Sequence, residues 1–160
     1  MALPPGRAFT SKQMGDAAEM IVAAELTLAG IPALKVPDNW PSYDVIAQPI
    51  GGVPQRISVK ARTFKKGAAY VQFLDTDVFD WLAIVILAND GTNVRSVYLI
   101  PRSVADKTAQ RNAPETKTAN IRYIPIDQIE RKFGQYRDNF KLKLTTTLAA
   151  DAALTRLLGP

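Results

Sequence analysis

The chain has 160 residues, 47% of them apolar, with a net charge of +5 and neither cysteine nor histidine. That length suits one domain with a real hydrophobic core, and the missing residue types exclude disulfides, thiolate and imidazole metal sites, and Ser-His-Asp or Cys-His catalysis. Any chemistry must come from carboxylates, lysine, hydroxyls or a hard metal ion, and the lack of a signal-peptide h-region or a membrane-length apolar run points to a cytoplasmic protein.

Residues 1–11, with Pro4, Pro5 and Gly6, read as a flexible arm. A helix is predicted over Lys12 to Ala29, capped by Thr10 or Ser11 and stopped by Gly30 and Pro32. Ala17, Ile21, Ala24 and Leu28 form one apolar stripe on it, and Glu19, Val22, Ala23 and Leu26 form another on the opposite side, so burial on both faces is expected. Glu19 lies within the second stripe and needs a partner or a ligand, because a carboxylate buried alone is costly.

Strand signals follow at Ala33 to Val36 and at Tyr43 to Gln48, with a hairpin turn over Pro49 to Pro54. Gln55 to Thr63 alternates: Ile57, Val59 and Ala61 point one way, while Arg56, Ser58, Lys60 and Arg62 point the other. Ala69 to Phe73 reads as a further strand and Phe79 to Leu82 as a turn or short helix. Ala83 to Leu87 is a continuous apolar run suited to a strand buried on both faces. A turn at Asn89 to Thr92 leads to a strand over Val94 to Ile100, and Pro101 opens a short helix. Lys107 to Thr118 is polar and loop-like, Ile121 to Ile126 suits an edge strand, Asp127 caps a short helix to Phe133, and Thr145 to Leu158 is an amphipathic helix. That order describes a single mixed α/β domain around one sheet. The last helix would cover the sheet or serve a homodimer.

Charge is unevenly distributed. Val45 to Leu74 contains no acid but holds Arg56, Lys60, Arg62, Lys65 and Lys66, while the rest of the chain is balanced. A local cationic block fits a phosphate-backbone partner as well as a solvated loop. The predicted hairpin would bring Asp44 beside Lys60 on one face of the sheet. There a carboxylate can hold Mg²⁺, and the lysine can orient water or offset developing negative charge, or the two can simply form a cross-strand ion pair.

Taken together, GDAAEMIVAAELTLAGIPALKVP, YDVIAQ and QRISVKART resemble the PD-(D/E)XK nuclease superfamily, closest in style to archaeal Holliday-junction resolvases and to restriction- and homing-type endonucleases. Gly15, Glu19, Leu26 and Gly30 match the helix pattern, Asp44 the motif aspartate and Lys60 the motif lysine. The resemblance implies an α/β, restriction-endonuclease-like αβββαβ core whose mixed central sheet is flanked by helices. It also implies Mg²⁺- or Mn²⁺-dependent hydrolysis of DNA phosphodiesters. Glu19, Asp44 and Lys60 would be the catalytic residues, and Asp44, Glu19 and Ser58 would surround the metal. Arg56, Arg62, Lys65 and Lys66 would contact nucleic acid.

Ser58 departs from the pattern, since it stands where the superfamily carries Glu, Asp or Gln. Three outcomes follow. Another acid, from Glu19, Asp75 or Asp77, substitutes for it; or the metal binds weakly through Asp44, a carbonyl and water; or the domain is a degenerate nuclease that binds DNA or serves as an interaction module. Tyr70 and Phe73 are candidates for base stacking or for the core, and Trp40 and Tyr43 for a groove or for the core.

Overall fold

The computed structural model describes residues 6–63 and 69–144, so the beginning of the arm, Lys65, Lys66 and the helix expected over Thr145 to Leu158 lie outside the described residues. The described chain runs α1 (Ser11–Leu28), β1 (Ala33–Lys35), β2 (Val45–Ala47), β3 (Gln55–Thr63), β4 (Tyr70–Leu74), β5 (Trp81–Leu87), β6 (Arg95–Pro101), α2 (Arg102–Thr108), β7 (Ile121–Pro125) and α3 (Ile129–Phe133).

Helix α1 starts in a full capping box: the Thr10 hydroxyl accepts from the Gln13 N–H, and the Gln13 side chain accepts from the Thr10 N–H. It ends where Gly30 adopts φ +98°, a conformation that favours glycine. Met14, Ala18, Val22 and Leu26 are buried at helical spacing against one face of the sheet. The opposite stripe is covered only in part: Ala17 and Ile21 are half-buried, with Ile21 against the core, while Leu28 is 83% exposed and Ala24 is open to solvent. No sheet or helix of the described residues lies over that side, so α1 is amphipathic in use although nearly apolar all round in composition.

Strands β1, β2, β3, β5 and β6 form one mixed sheet in that order. The β1, β2 and β3 neighbours are antiparallel, β3 and β5 are parallel, and β5 and β6 are antiparallel. The α/β class with a mixed sheet is as expected. One detail differs from an αβββαβ order: among the described residues, the link between the parallel strands β3 and β5 contains strand β4 and no helix. Tyr70, Val71, Gln72, Phe73 and Leu74 alternate exposed and buried, the period of a strand, and β4 pairs antiparallel with β7 as a separate two-stranded ribbon. The residues of β7 are therefore not an edge of the main sheet.

The core has two halves. One lies between α1 and the sheet, with Val45, Ile57, Ala83, Val85 and Leu99. The other lies under the ribbon, with Val71, Phe73 and Ile124 against Leu82, Ile84 and Ile100. Strand β5 serves both, which is why its apolar residues do not alternate. Truncating Ile84 to Ala would cost about 2–5 kcal/mol.

Three local expectations change. Trp81 and Leu82 already belong to β5, not to a turn or short helix. Pro101 closes β6 and flanks α2, which extends to Thr108 into the segment read as loop. Asp127 caps nothing: a 3-10 turn over Ile126–Gln128 precedes α3, and neither has a side-chain cap.

Candidate active site

Strand β2 is short and leaves β3 early. Val45 is opposite Ile57, and β3 runs on to Thr63 with β5 as its only paired strand among the described residues. The first residue past the pairing is Asp44, which three hydrogen bonds fix in place. Its N–H donates to the Ile57 carbonyl at 2.9 Å, its carbonyl accepts from the Val36 N–H at 2.9 Å, and its carboxylate accepts from the Val59 N–H at 2.7 Å. The carboxylate thus satisfies a strand N–H that β2 no longer reaches. Continuing the antiparallel register puts Asp44 opposite Ser58. Lys60 is the diagonal neighbour on the same strand face, not the direct cross-strand partner of Asp44.

Glu19 comes from α1 to line the same open cleft as Asp44, about 260 Å³ in volume, with Gly15, Asp16 and Asp38. Burial pushes the Glu19 carboxyl up, Lys35 opposes this from 3.2 Å, and the nearby Asp44 charge adds to the rise. The partner expected for Glu19 is therefore Lys35 on β1.

Lys35 is the centre of a cluster that sequence reasoning missed. Its ammonium lies 3.2 Å from Glu19, 3.6 Å from Asp16 and 2.8 Å from Asp38, and Lys12 reaches Asp38 at 3.0 Å. Lys35 and Lys12 hold the Asp38 carboxyl down to about 2. Asp16, Glu19 and Asp38 each offer a carboxylate oxygen within 4.8 Å of the others. The acids of the cleft offer hard oxygens, which suit Mg²⁺ or Mn²⁺ rather than a soft metal. The only early signal was the three-residue spacing of Asp16 and Glu19, which puts them on one helix face. Lys35 and Asp38 arrive through packing of β1 against α1.

Ser58 is 2% exposed, inside the sheet. Arg56 is committed to Asp80: both ends of its guanidinium fork meet the carboxylate at 3.0 Å, and its N–H adds a third contact at 2.8 Å. Arg62 donates to the carbonyls of Tyr70 and Ala61. Asp77 caps a turn by accepting from the Leu74 N–H, and Asp75 lies 3.6 Å from Arg122. Neither acid lines the cleft with Glu19 and Asp44. Phe73 is core, edge-on to Phe79, while Tyr70 is 46% exposed. Trp40 is exposed and meets the half-buried Tyr43 edge-on.

The fold is similar to that of a solved nuclease structure. The solved structure of a bacterial homing endonuclease, I-Ssp6803I, matches with a TM-score of 0.54 and 18% identity over 92% of this chain and 99% of that one. Hjc, a Holliday junction resolvase from the archaeal hyperthermophile Archaeoglobus fulgidus, aligns with a TM-score of 0.42 and 15% identity over 68% of this chain and 88% of that one. No family model and no curated protein matches this sequence. The mixed α/β fold expected from the helix, hairpin and strand motifs is thus shared with the homing endonuclease structure. No helix among the described residues is long and apolar enough to cross a membrane.

Proposed function

We propose that this chain is a DNA endonuclease that hydrolyses phosphodiester bonds with Mg²⁺ or Mn²⁺. The observation that carries the proposal is the meeting of Asp44 and Glu19 in one cleft where β2 leaves β3, beside the strand that bears Lys60. Asp44 and Glu19 would hold the ion, with the Ser58 hydroxyl contributing little because it is neutral and buried. Such an ion, when bound, supplies positive charge against the phosphoryl oxygens and lowers the pKa of the attacking water. The Lys60 ammonium orients that water or offsets the charge developing on the phosphate. Burial raises the Glu19 carboxyl, so the ion would compete with a proton for it. Arg62, with Lys65 and Lys66, contacts the backbone on either side of the scissile bond; Arg56 contributes less because Asp80 holds its fork. The test is cleavage of plasmid and branched DNA across a Mg²⁺ and Mn²⁺ series by wild type, Asp44→Ala and Lys60→Ala. Turnover lost in both folded variants supports the assignment, and turnover unchanged in both overturns it.

A second reading is favoured by Ser58 and Lys35: the usual acid is absent from β3, and an ammonium already neutralises the acids of the cleft. In that reading the domain binds DNA through its basic segment and does not turn it over. Salt-sensitive binding without cleavage under any metal would select it.

A further inference from the structure

The β4–β7 ribbon stands apart from the five-stranded sheet and has two faces of different character. Val71, Phe73 and Ile124 pack inward on Leu82, Ile84 and Ile100. The outer face carries Tyr70, Gln72 and Leu74 on one strand and Ile121, Tyr123 and Pro125 on the other, with Gln72 directly opposite Tyr123. The Tyr70 and Tyr123 rings meet edge to face at 5.8 Å. With Asn112 and Thr118 they line an open groove of about 250 Å³, in which the Asn112 amide is held by the Thr118 hydroxyl at 2.6 Å.

We propose that this outer face reads the bases of duplex DNA from the major groove, with Gln72 contacting base edges and Tyr70 and Tyr123 packing beside them. The inference rests on the endonuclease reading and adds to it the part of the molecule that selects the sequence. Three observations carry it. The first is shape: a two-stranded ribbon is one of the elements that the major groove admits, and a glutamine amide offers the paired donor and acceptor that adenine presents there. The second is charge. Among the described residues, segments 62–63, 69–74 and 107–125, at and beside the ribbon, hold four cations besides Arg122 and one acid, Glu115. Their bordering acids, Asp75 and Asp106, are paired with Arg122. A polyanion is the complementary partner. The third is proximity: the Arg62 guanidinium donates to the Tyr70 carbonyl at 3.2 Å, so the strand of Lys60 lies against the start of the ribbon. DNA held along β3 would extend onto the outer face.

The test uses the full chain and a pool of duplexes randomised over 20 base pairs. Wild type, Gln72→Ala and Tyr70→Ala are each taken through selection, then titrated with the wild-type-selected duplex and with a mixed-sequence duplex at two salt concentrations. Wild type is expected to enrich a preferred sequence. Gln72→Ala should lose the preference at one or two positions and bind the selected duplex about tenfold more weakly, a loss on the scale of one missing base contact. Its affinity for mixed-sequence duplex and its salt dependence should stay within about twofold of wild type. Tyr70→Ala should weaken the selected duplex likewise. Both side chains are exposed, and unchanged melting curves confirm the fold. Wild-type preference and affinity retained in both variants would overturn the proposal, as would an equal loss on both duplexes, which marks a backbone contact. Failure of wild type to bind any duplex at low salt would remove the endonuclease reading itself, an outcome distinct from failure of the ribbon alone.

Discussion

The Asp44 carboxylate accepts the backbone N–H of Val59 at 2.7 Å, at the point where β3 continues without β2. One oxygen is thereby fixed by the sheet, which orients the whole carboxylate toward the cleft shared with Glu19. Structure and chemistry separate at this residue. Asn at position 44 keeps a carbonyl oxygen for the Val59 N–H but loses the charge that a divalent ion needs. Asp44→Asn should therefore melt close to wild type and lose metal-dependent cleavage. Asp44→Ala should lose cleavage and also about 1–2 kcal/mol of stability, because the strand N–H loses its partner. Denaturant melts paired with cleavage assays measure both.

The Glu19 carboxyl is raised by burial, beyond what Lys35 offsets. A carboxyl whose folded pKa lies above its unfolded one favours folding while protonated, and that contribution disappears as pH rises through the folded pKa. Metal binding runs the other way, since it needs the ionised form. Mg²⁺ affinity should therefore increase with pH through the raised pKa of Glu19. In Glu19→Gln that pH dependence should flatten and the affinity drop. Isothermal titration of Mg²⁺ at several pH values tests this without requiring turnover.

Asp38 shows the opposite shift. Lys35 first, and then Lys12, hold its carboxyl at about 2 against an ordinary 3.8. The sign is that of a depressed acid: the stabilisation is present above about pH 3.8 and is lost as pH falls toward 2. Lys35→Met should move the Asp38 pKa back up toward its ordinary value and raise that of Glu19 further, because both lose the same ammonium. Carboxyl carbon NMR titrations of wild type and variant report each shift. An unchanged Asp38 titration would mean that the cluster around Lys35 does not persist in solution.

How much was legible in the sequence depended on how local the cause was. Strand β3 has the predicted bounds because alternation of Ile57, Val59 and Ala61 with polar neighbours needs no outside information. The start of α1 was equally local, since Thr10 and Gln13 cap each other. That Asp44 and Lys60 lie on neighbouring segments was legible, but their diagonal register was not, because it depends on where β2 stops. Lys35 was invisible as a site residue: it is one cation on a three-residue strand, and only packing of β1 on α1 brings it to Glu19 and Asp16. The ribbon was hidden for a similar reason. Leu74 pairs with Ile121 across a long stretch of chain, and neither segment names its partner. Asp127 misled because a 3-10 turn intervenes before α3, so the side chain that ought to cap that helix precedes the wrong turn.

Arg56 and Arg62 alternate on the same strand face and look equivalent in sequence, yet their surroundings differ. Arg56 makes a forked, partly exposed pair with Asp80, while Arg62, among the described residues, donates to backbone carbonyls. Arg56→Met should cost up to about 1 kcal/mol of stability, the range of such pairs, and change DNA affinity little. Arg62→Met should reduce the salt slope of DNA binding by about one unit. Binding isotherms between low and moderate salt separate the two residues.

Ser58 stands where the motif that this sequence resembles carries an acid. It lies opposite Asp44 in the register and is 2% exposed. Ser58→Asp would therefore put a second carboxylate almost fully inside the sheet, next to the first. Without metal this should destabilise the fold by about 1–3 kcal/mol, through desolvation and repulsion from Asp44. A divalent ion that bridges the two carboxylates reverses both penalties and should restore the melting temperature in proportion to its concentration. Mg²⁺ should thus raise the melting temperature of Ser58→Asp more than that of wild type, and tighten Mg²⁺ binding in the variant. Destabilisation that Mg²⁺ and Mn²⁺ leave untouched would show that position 58 does not face the ion, so that Asp44 and Glu19 alone would have to hold it.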